Sequence, residues 1–364
     1  MVKSLSSAVA KPGPAKLPAI AARRSTDRAS IRAVAIGGGT GLSTLLRGLR
    51  RYVASPNLSS GDCEAAPCLI SDLAAVVTVT DDGGSSGRLR RGFNMLPPGD
   101  LRNCMVALSE DEHLISRLFR HRFTAGEGLE GHSFGNLFVA ALMEITGDFA
   151  QAIKLSSQVL ATRGHIYPVT AANVSLVARM DDGSLVSGET NITASRQRIV
   201  ELMLEPADAE PLPETLVAIE RADLITIGPG SLYTSLITNL LVKGVADALA
   251  SSRAIRVYIC NLMTQSNESL NLTASQHIER IYEHTHQPIF DYALVNTAPV
   301  SRALLDRYAG EGASPITADI EAIEALGVRC ITGDFTAEGD VVRHAADRVA
   351  ETVLRLGIAG RGRG

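Results

Sequence analysis

The sequence predicts an α/β protein: one doubly wound, mostly parallel sheet with helices on both faces and a small β-hairpin insertion. Three observations predict it. Short apolar runs recur along the chain, of the kind that form strands buried on both faces. Several end in glycines or polar residues and pass directly into a helical pattern. The first of these units, Ile31 to Thr44 (IRAVAIGGGTGLST), packs four glycines into five positions between strand and helix.

In that unit Ala33, Val34, Ala35 and Ile36 suit a buried strand, and Leu42, Leu45, Leu46 and Leu49 mark one face of the helix that follows. Gly37, Gly38, Gly39 and Gly41 let the backbone turn and approach a ligand, with Thr40 or Ser43 as the expected helix cap. Free N–H groups and the helix dipole make such a turn an anion site. No Gly-Lys-Ser/Thr follows, so it is not a Walker A loop. Leu42 stands where the third glycine of G-x-G-x-x-G belongs, which weakens a redox-dinucleotide reading.

The second strand, Leu73 to Thr80, ends in Asp81-Asp82-Gly83-Gly84-Ser85-Ser86-Gly87-Arg88. Ligands of open α/β sheets bind beyond the C-terminal strand ends. Asp81 or Asp82 there is a candidate for a ribose contact, a Mg²⁺ ligand or a base, and Ser85 stands beside them. Pro97-Pro98-Gly99 is a turn, Asp100 a helix cap, and Arg102 and Asn103 fall in the first helical turn. Residues 113–123 read as a cationic amphipathic helix. Gly131-His132-Ser133-Phe134-Gly135-Asn136 then opens another helix, with Ser133 as cap and His132 and Asn136 facing the cleft.

Helix continues over Asp148 to Leu160, and a hairpin insertion occupies about residues 165–195, turning at Asp181-Asp182-Gly183-Ser184. After a Pro- and acid-rich linker at 205–213, the strand Ala222 to Ile227 ends in Gly228-Pro229-Gly230-Ser231 before a helix. Two glycine-turned helix starts in one chain suit a ligand with two charged groups, such as a diphosphate. The strand Arg256 to Cys260 leads to Asn261-Leu262-Met263-Thr264-Gln265, whose Asn261, Thr264 and Gln265 suit hydrogen bonding to a base or sugar. Later strands are Asp291 to Asn296 and Val328 to Ile331, followed by Gly333-Asp334-Phe335 and by Arg343-His344 ahead of a closing helix.

Of the 364 residues, 31–358 are read as a single domain, with disordered tails at 1–30 and 359–364. The N-terminal tail carries +5 and the remainder −9, so the body of the protein is acidic and does not suit nucleic-acid binding. No apolar run approaches the ~20 residues of a membrane span. Five scattered cysteines without a C-x-x-C read as reduced thiols, and a cysteine metal site is not expected. No Ser-His-Asp or Cys-His arrangement stands at motif spacing, which favours binding over covalent catalysis. A homodimer is the default oligomeric expectation.

The runs AIGGGTGLSTLLRGL, TVTDDGGSSGRLR, PPGDLRNC, HSFGNLF, IGPGSLYTS and CNLMTQ, in this order, closely resemble the gluconeogenesis-factor proteins of the YvcK type. That family is related to the phospholactate transferase CofD of deazaflavin cofactor biosynthesis, and the resemblance spans roughly residues 31–350. It implies a cytoplasmic, Rossmann-like protein that binds a nucleotide-sugar such as UDP-N-acetylglucosamine and acts in cell shape and wall synthesis under gluconeogenic growth. It implies Gly38, Gly39, Thr40 and Gly41, with Gly228, Gly230 and Ser231, around phosphates, and Asn261, Thr264 and Gln265 beside the nucleoside or sugar. Asp81 and Asp82 would lie where a transferase holds its acceptor. After Gln265 the chain departs from the usual Pro-Gly-Glu-Thr and reads Ser266-Asn267-Glu268-Ser269. His344 is followed by Ala345, where the family has aspartate. The alternative to a binding protein is an enzyme moving a phosphoryl-linked group from a nucleoside-diphosphate carrier with Mg²⁺.

Overall fold

The computed structural model describes residues 30–53, 68–110, 114–266, 268–310 and 312–361. The basic tail therefore lies outside the described residues, as does most of the loop before the second strand.

Seven parallel strands form the central sheet. They are β1 (Ile31–Gly37), β2 (Ile70–Val77), β3 (His165–Pro168), β7 (Leu224–Ile227), β8 (Ile255–Ile259), β9 (Tyr292–Asn296) and β10 (Arg329–Gly333), in the spatial order β10-β9-β8-β7-β1-β2-β3. β7 is buried throughout, and β1 and β2 are buried over their last five residues, which is why these runs show no alternation. β1 lies in the middle, pairing Ile36 with Val76 on one side and with Ile227 on the other.

The chain goes from β1 outward to β2 and β3, then returns to β7 on the other side of β1 and proceeds outward again. Right-handed crossovers running in opposite directions place helices on opposite faces. The reversal opens a crevice at the C-terminal ends of β1 and β7, the usual ligand position in such sheets.

Helix α1 (Gly39–Arg50) buries Leu42, Leu45, Leu46 and Leu49. At Gly48 an added Cβ would lie 2.3 Å from the Ala346 carbonyl oxygen, so the closing helix Ala346–Arg361 crosses α1 with backbone almost touching. Helices α2 (Gly84–Phe93) and α3 (Gly99–Leu108) follow β2. The helix α4 (Leu114–Arg120) is shorter than the amphipathic segment expected over 113–123, and α5 spans Phe134–Thr146.

The insertion differs from the expected hairpin. His165–Pro168 belongs to the edge of the main sheet, paired with β2. The small sheet has three antiparallel strands, β4 (Ser175–Met180), β5 (Leu185–Ser187) and β6 (Ile199–Glu205), in the order β5-β4-β6. The Asp181–Ser184 segment is the β4–β5 turn, as read from its flanks. A short ribbon, β11 (Thr336–Glu338) and β12 (Val342–His344), precedes the closing helix, which continues as far as Arg361.

Cys104, Cys260 and Cys330 are buried and free, but Cys68 is disulfide-bonded, against the reading of reduced thiols throughout. No helix among the described residues is long and apolar enough to cross a membrane.

Candidate ligand crevice at the sheet reversal

A cavity of about 560 Å³ occupies the crevice. That is ample for a dinucleotide-sized or sugar-nucleotide ligand, within the usual range of small-molecule sites. Three strand ends build it: Gly38–Gly41 after β1, Pro229–Ser231 after β7, and Asn261–Ser266 after β8. The far wall comes from Tyr308, Ala313 and the ribbon residues Val341–His344.

Gly38, not Thr40 or Ser43, is the N-cap of α1, and no side chain of its own end caps that helix. Gly39 adopts φ +63°, a left-handed conformation that suits glycine. The Gly39 N–H donates to Asp100 Oδ2 at 2.7 Å. Asp100 is therefore not the cap of α3, whose N-cap is Pro98. It reaches across from the first turn of α3 to cap α1. Asp100 does cap a helix, but not the one beginning at Leu101 that its place in the sequence suggests.

The second turn packs on the first. At Gly41 an added Cβ would stand 2.3 Å from the Pro229 carbonyl oxygen, and at Gly230 it would stand 3.6 Å from the Gly38 oxygen. Leu236 lies beneath both turns, within 3.6 Å of where Cβ atoms on Gly37, Gly228 and Gly230 would be. Asn239, wholly buried, donates through Nδ2 to the carbonyls of Gly37 and Ser235. Gly228 forms the bend under this wall rather than lining the cavity. Ser231 is the N-cap of a π-helical turn, Leu232–Ile237, a variant often found at functional sites. A second internal carboxylate stands here: buried Glu268 accepts from the Tyr233 N–H (3.1 Å) and from Thr234 Oγ1 (2.6 Å). Burial pushes its carboxyl above the usual range.

On the third loop, Asn261 Oδ1 accepts from the Gly230 N–H at 3.4 Å, and Gln265 Nε2 donates to Ser231 Oγ at 3.1 Å. Gln265 Oε1 is buried without a partner. Thr264 Oγ1 instead accepts from the Ser314 N–H, tying the loop to the far wall. Arg343 is the one Lys or Arg among the described residues lining the cavity. Neighbouring His344 donates through Nε2 to the Cys260 carbonyl (3.0 Å), and burial pulls its pKa down to about 4, so the ring is neutral. Tyr308, Ser235 and Arg343 were not among the residues expected at the site, because no local pattern marks a wall assembled from distant loops.

The remaining expected residues gather outside this cavity, across Gly39 and Asp100. Asp81 Oδ1 accepts from the Gly83 N–H at 3.0 Å, and Asp82 Oδ1 accepts from the Thr190 N–H at 2.9 Å. Asp82 thus holds the start of the short inserted helix Glu189–Ala194. Ser85 Oγ accepts from the Ser133 N–H and Asn136 Nδ2, so its proton points to His132 Nδ1, 3.0 Å away. That fixes His132 as the tautomer protonated on Nε2. Burial first, then the charges of Arg88 and Arg122, lower its pKa. Ser133 makes no side-chain cap bond; it donates to the Phe119 carbonyl and receives Arg102 Nη1. Arg102 also donates to Asn103 Oδ1 at 2.6 Å, so it is engaged within the cluster rather than turned to the crevice.

Glu189 was missed. It sits where the sequence reads as the end of a strand, and the inserted unit carries it back to the main sheet. Its Oε2 accepts from Thr80 Oγ1 at 3.1 Å. Burial, then the charges of Asp100 and Asp81, push its carboxyl up to about 8.

The fold and its crevice define a Rossmann-like α/β protein whose glycine-turned helix starts face one polar cavity. The chain belongs to the CofD family: the family model described as 2-phospho-L-lactate transferase CofD matches residues 33–336. It is similar to the gluconeogenesis factor of Halalkalibacterium halodurans, with 46% identity over 88% of this chain and 95% of that one. The gluconeogenesis factor of Bacillus subtilis is 44% identical over 88% and 96% of the two chains. A crystal structure of a UPF0052-family protein from Bacillus halodurans superposes with a TM-score of 0.83 at 46% identity, covering 89% of this chain and 99% of the other.

Proposed function

We propose that this protein is a cytoplasmic gluconeogenesis factor that binds a nucleotide-sugar of the UDP-N-acetylglucosamine type in the crevice, and that it acts by binding rather than by turnover. The observation that carries the reading is the joining of the two glycine turns into one wall, with Asn261 and Gln265 hydrogen-bonded to the second turn and Gln265 Oε1 left unpartnered. In this reading the backbone N–H groups of the two turns other than those of Gly39 and Gly230, which already bond Asp100 and Asn261, face the diphosphate, and the amides of the third loop meet the sugar or base. Relatives that carry the gluconeogenesis-factor name support the first part of this reading; we extend it to carbon partitioning toward the cell envelope and to cell shape. It works as a homodimer.

The test is calorimetric titration with UDP-N-acetylglucosamine, a guanosine diphosphate compound and NADP, each with and without Mg²⁺. Saturable binding of the UDP-sugar ahead of the other two supports the reading; no heat with the UDP-sugar ends it.

One observation favours the second reading, a transferase of the CofD type. Asp81, Asp100 and Glu189 interact with one another beside the first glycine turn, where an acceptor would approach. Mg²⁺ characteristically takes one or two protein carboxylates and completes its shell with phosphate and water oxygens. Among the described residues no three His, Cys, Asp or Glu side chains form a metal site by themselves. Asp81 and Asp82 each have Oδ1 held by a backbone N–H, of Gly83 and Thr190, and Oδ2 of either would fit such a shared role. The ion would neutralise charge on the transferring group, and Mg²⁺-dependent consumption of a diphosphate donor would favour this reading over the first.

A further inference from the structure

A second cavity, of about 260 Å³, shares two segments with the crevice. Ser231, Ser235 and Gln265 line the crevice, whereas Tyr233 and Glu268, from the same π-helical turn and the same loop, line this cavity. Its charge is positive. Arg196 and Arg198 enter it from the segment before β6, and Arg280 from the helix Ala274–Thr285. Arg198 Nε stands 3.9 Å from Asp181 Oδ2, and Arg280 Nη1 2.6 Å from Glu283 Oε2. Both pairs reach solvent and contribute little, so an incoming anion can compete for these cations. Glu268 is the one carboxylate among the described lining residues, and it is committed inward. Its Oε2 accepts from the Tyr233 N–H and its Oε1 from Thr234 Oγ1. The Tyr233 hydroxyl, on which Arg198 and Arg280 both act, donates to the Ile199 carbonyl at 3.3 Å. The rest of the wall is largely apolar, with Ile199, Val200, Leu270 and Leu272; Val200 and Leu270 are exposed despite their size.

We propose that this cavity is a second ligand site, for a small phosphate monoester carrying an apolar group, and that its occupancy is transmitted to the crevice through Glu268. Guanidinium forks match phosphate oxygens, and three of them meet a dianion with charge to spare. The apolar side chains take the organic part of the ester and lose their exposure to water. The path to the crevice is short. Glu268 clasps the start of the π-helical turn whose N-cap, Ser231, lines the crevice. Next to it, Ser269 Oγ accepts from the Gln265 N–H at 3.1 Å, and the Ser269 N–H donates to the Gln265 carbonyl at 3.0 Å. An occupant that holds Tyr233, Glu268 and Leu270 in place therefore steadies both the second glycine turn and Gln265.

The experiment uses phenyl phosphate as probe on the full chain, without any nucleotide, so its outcome does not depend on the ligand reading of the crevice. Titration calorimetry is expected to give saturable binding with a Kd of about 1 mM or tighter. Benzoate and inorganic phosphate, each lacking one half of the probe, are expected to bind at least about fivefold more weakly. Arg196→Gln and Arg280→Gln are each expected to weaken phenyl phosphate roughly tenfold, while Arg343→Gln, in the crevice, leaves it unchanged. Amide hydrogen exchange of the wild-type protein locates the site without any variant. The probe is expected to slow exchange in peptides covering Tyr233–Ile237 and Gln265–Leu272. No saturable binding overturns the inference, as does binding that Arg343→Gln abolishes and Arg280→Gln spares. Equal affinity for benzoate or inorganic phosphate overturns the ligand class. Slowed exchange confined to Gly38–Thr44 overturns the site, and slowed exchange that leaves Tyr233–Ile237 untouched overturns the transmission.

Discussion

The Cα of Gly41 lies directly against the carbonyl of Pro229: a Cβ at residue 41 would meet the oxygen at 2.3 Å and the carbonyl carbon at 2.7 Å. Two turns from opposite sides of the sheet reversal are thereby fused into one surface. Both neighbours are backbone atoms, so neither can swing aside as a side chain would. Gly41→Ala is expected to force the turns apart at a cost of about 1–3 kcal/mol. It should also weaken nucleotide-sugar binding beyond what the loss of stability explains. Thermal melts paired with titration calorimetry check this; a variant with wild-type melting and affinity would show that the contact is not needed.

Gly39 responds differently. At φ +63° it meets no steric neighbour closer than Ser235 Oγ at 3.9 Å. The restriction is conformational, and a β-branched residue is the least tolerated there. Gly39→Val is expected to destabilise by about 1–3 kcal/mol, whereas Gly39→Asn, which accepts the left-handed region more readily, should melt closer to the wild-type protein. Equal melting temperatures for the two variants would contradict the assignment.

The contrast between these glycines shows what the sequence made legible. The dense glycine run announced a special turn, and the parallel sheet, the reversal and the strand ends followed from apolar runs and their punctuation. Which glycine serves conformation and which serves close packing depends on Pro229, nearly two hundred residues away. The same limit explains Asp100 and Glu189. A capping residue was recognisable from its neighbours, but the helix it caps is set by tertiary packing. Glu189 was invisible because a short inserted helix, not its own segment, determines where it points. Ser85, His132, Asn136 and Arg102 were expected to line the cleft; Ser85 joins His132 and Asn136, and Arg102 holds Ser133 and Asn103, pairings that spacing alone does not encode.

Glu189 gives a pH-dependent expectation. Its folded pKa, about 8, lies above the ordinary carboxylate value, so the folded chain binds the proton more tightly than the unfolded chain does. That contribution is fully present below the unfolded value, about 4.3, and is lost as pH rises through about 8. Glu189→Gln should therefore flatten the decline in stability between pH 5 and pH 8. Denaturant melts across this range test it; parallel profiles for the two proteins would contradict the placement of the carboxyl.

Asp223 has the opposite sign. Burial raises its pKa, but hydrogen bonds from the Arg32 side chain and backbone, with the charges of Arg32 and Arg361, outweigh it and hold the carboxyl below its usual value. Arg32 grips it with both Nε and Nη2, at 3.2 Å each. This stability is present above the unfolded carboxylate value, about 3.9, and disappears as pH falls through the lower folded value. Asp223→Asn is expected to lose part of the wild-type stability at pH 6 and to show a shallower acid limb. An unchanged acid limb would mean that the pair contributes nothing.

The central claim is that the ligand lies between the two fused glycine turns. The most direct measurement is a crystal structure of the protein soaked with UDP-N-acetylglucosamine. The account requires the diphosphate against Gly38–Gly41 and Pro229–Ser231, with Asn261 and Gln265 at the sugar or base. A well-defined ligand bound elsewhere, with these turns untouched, would contradict it.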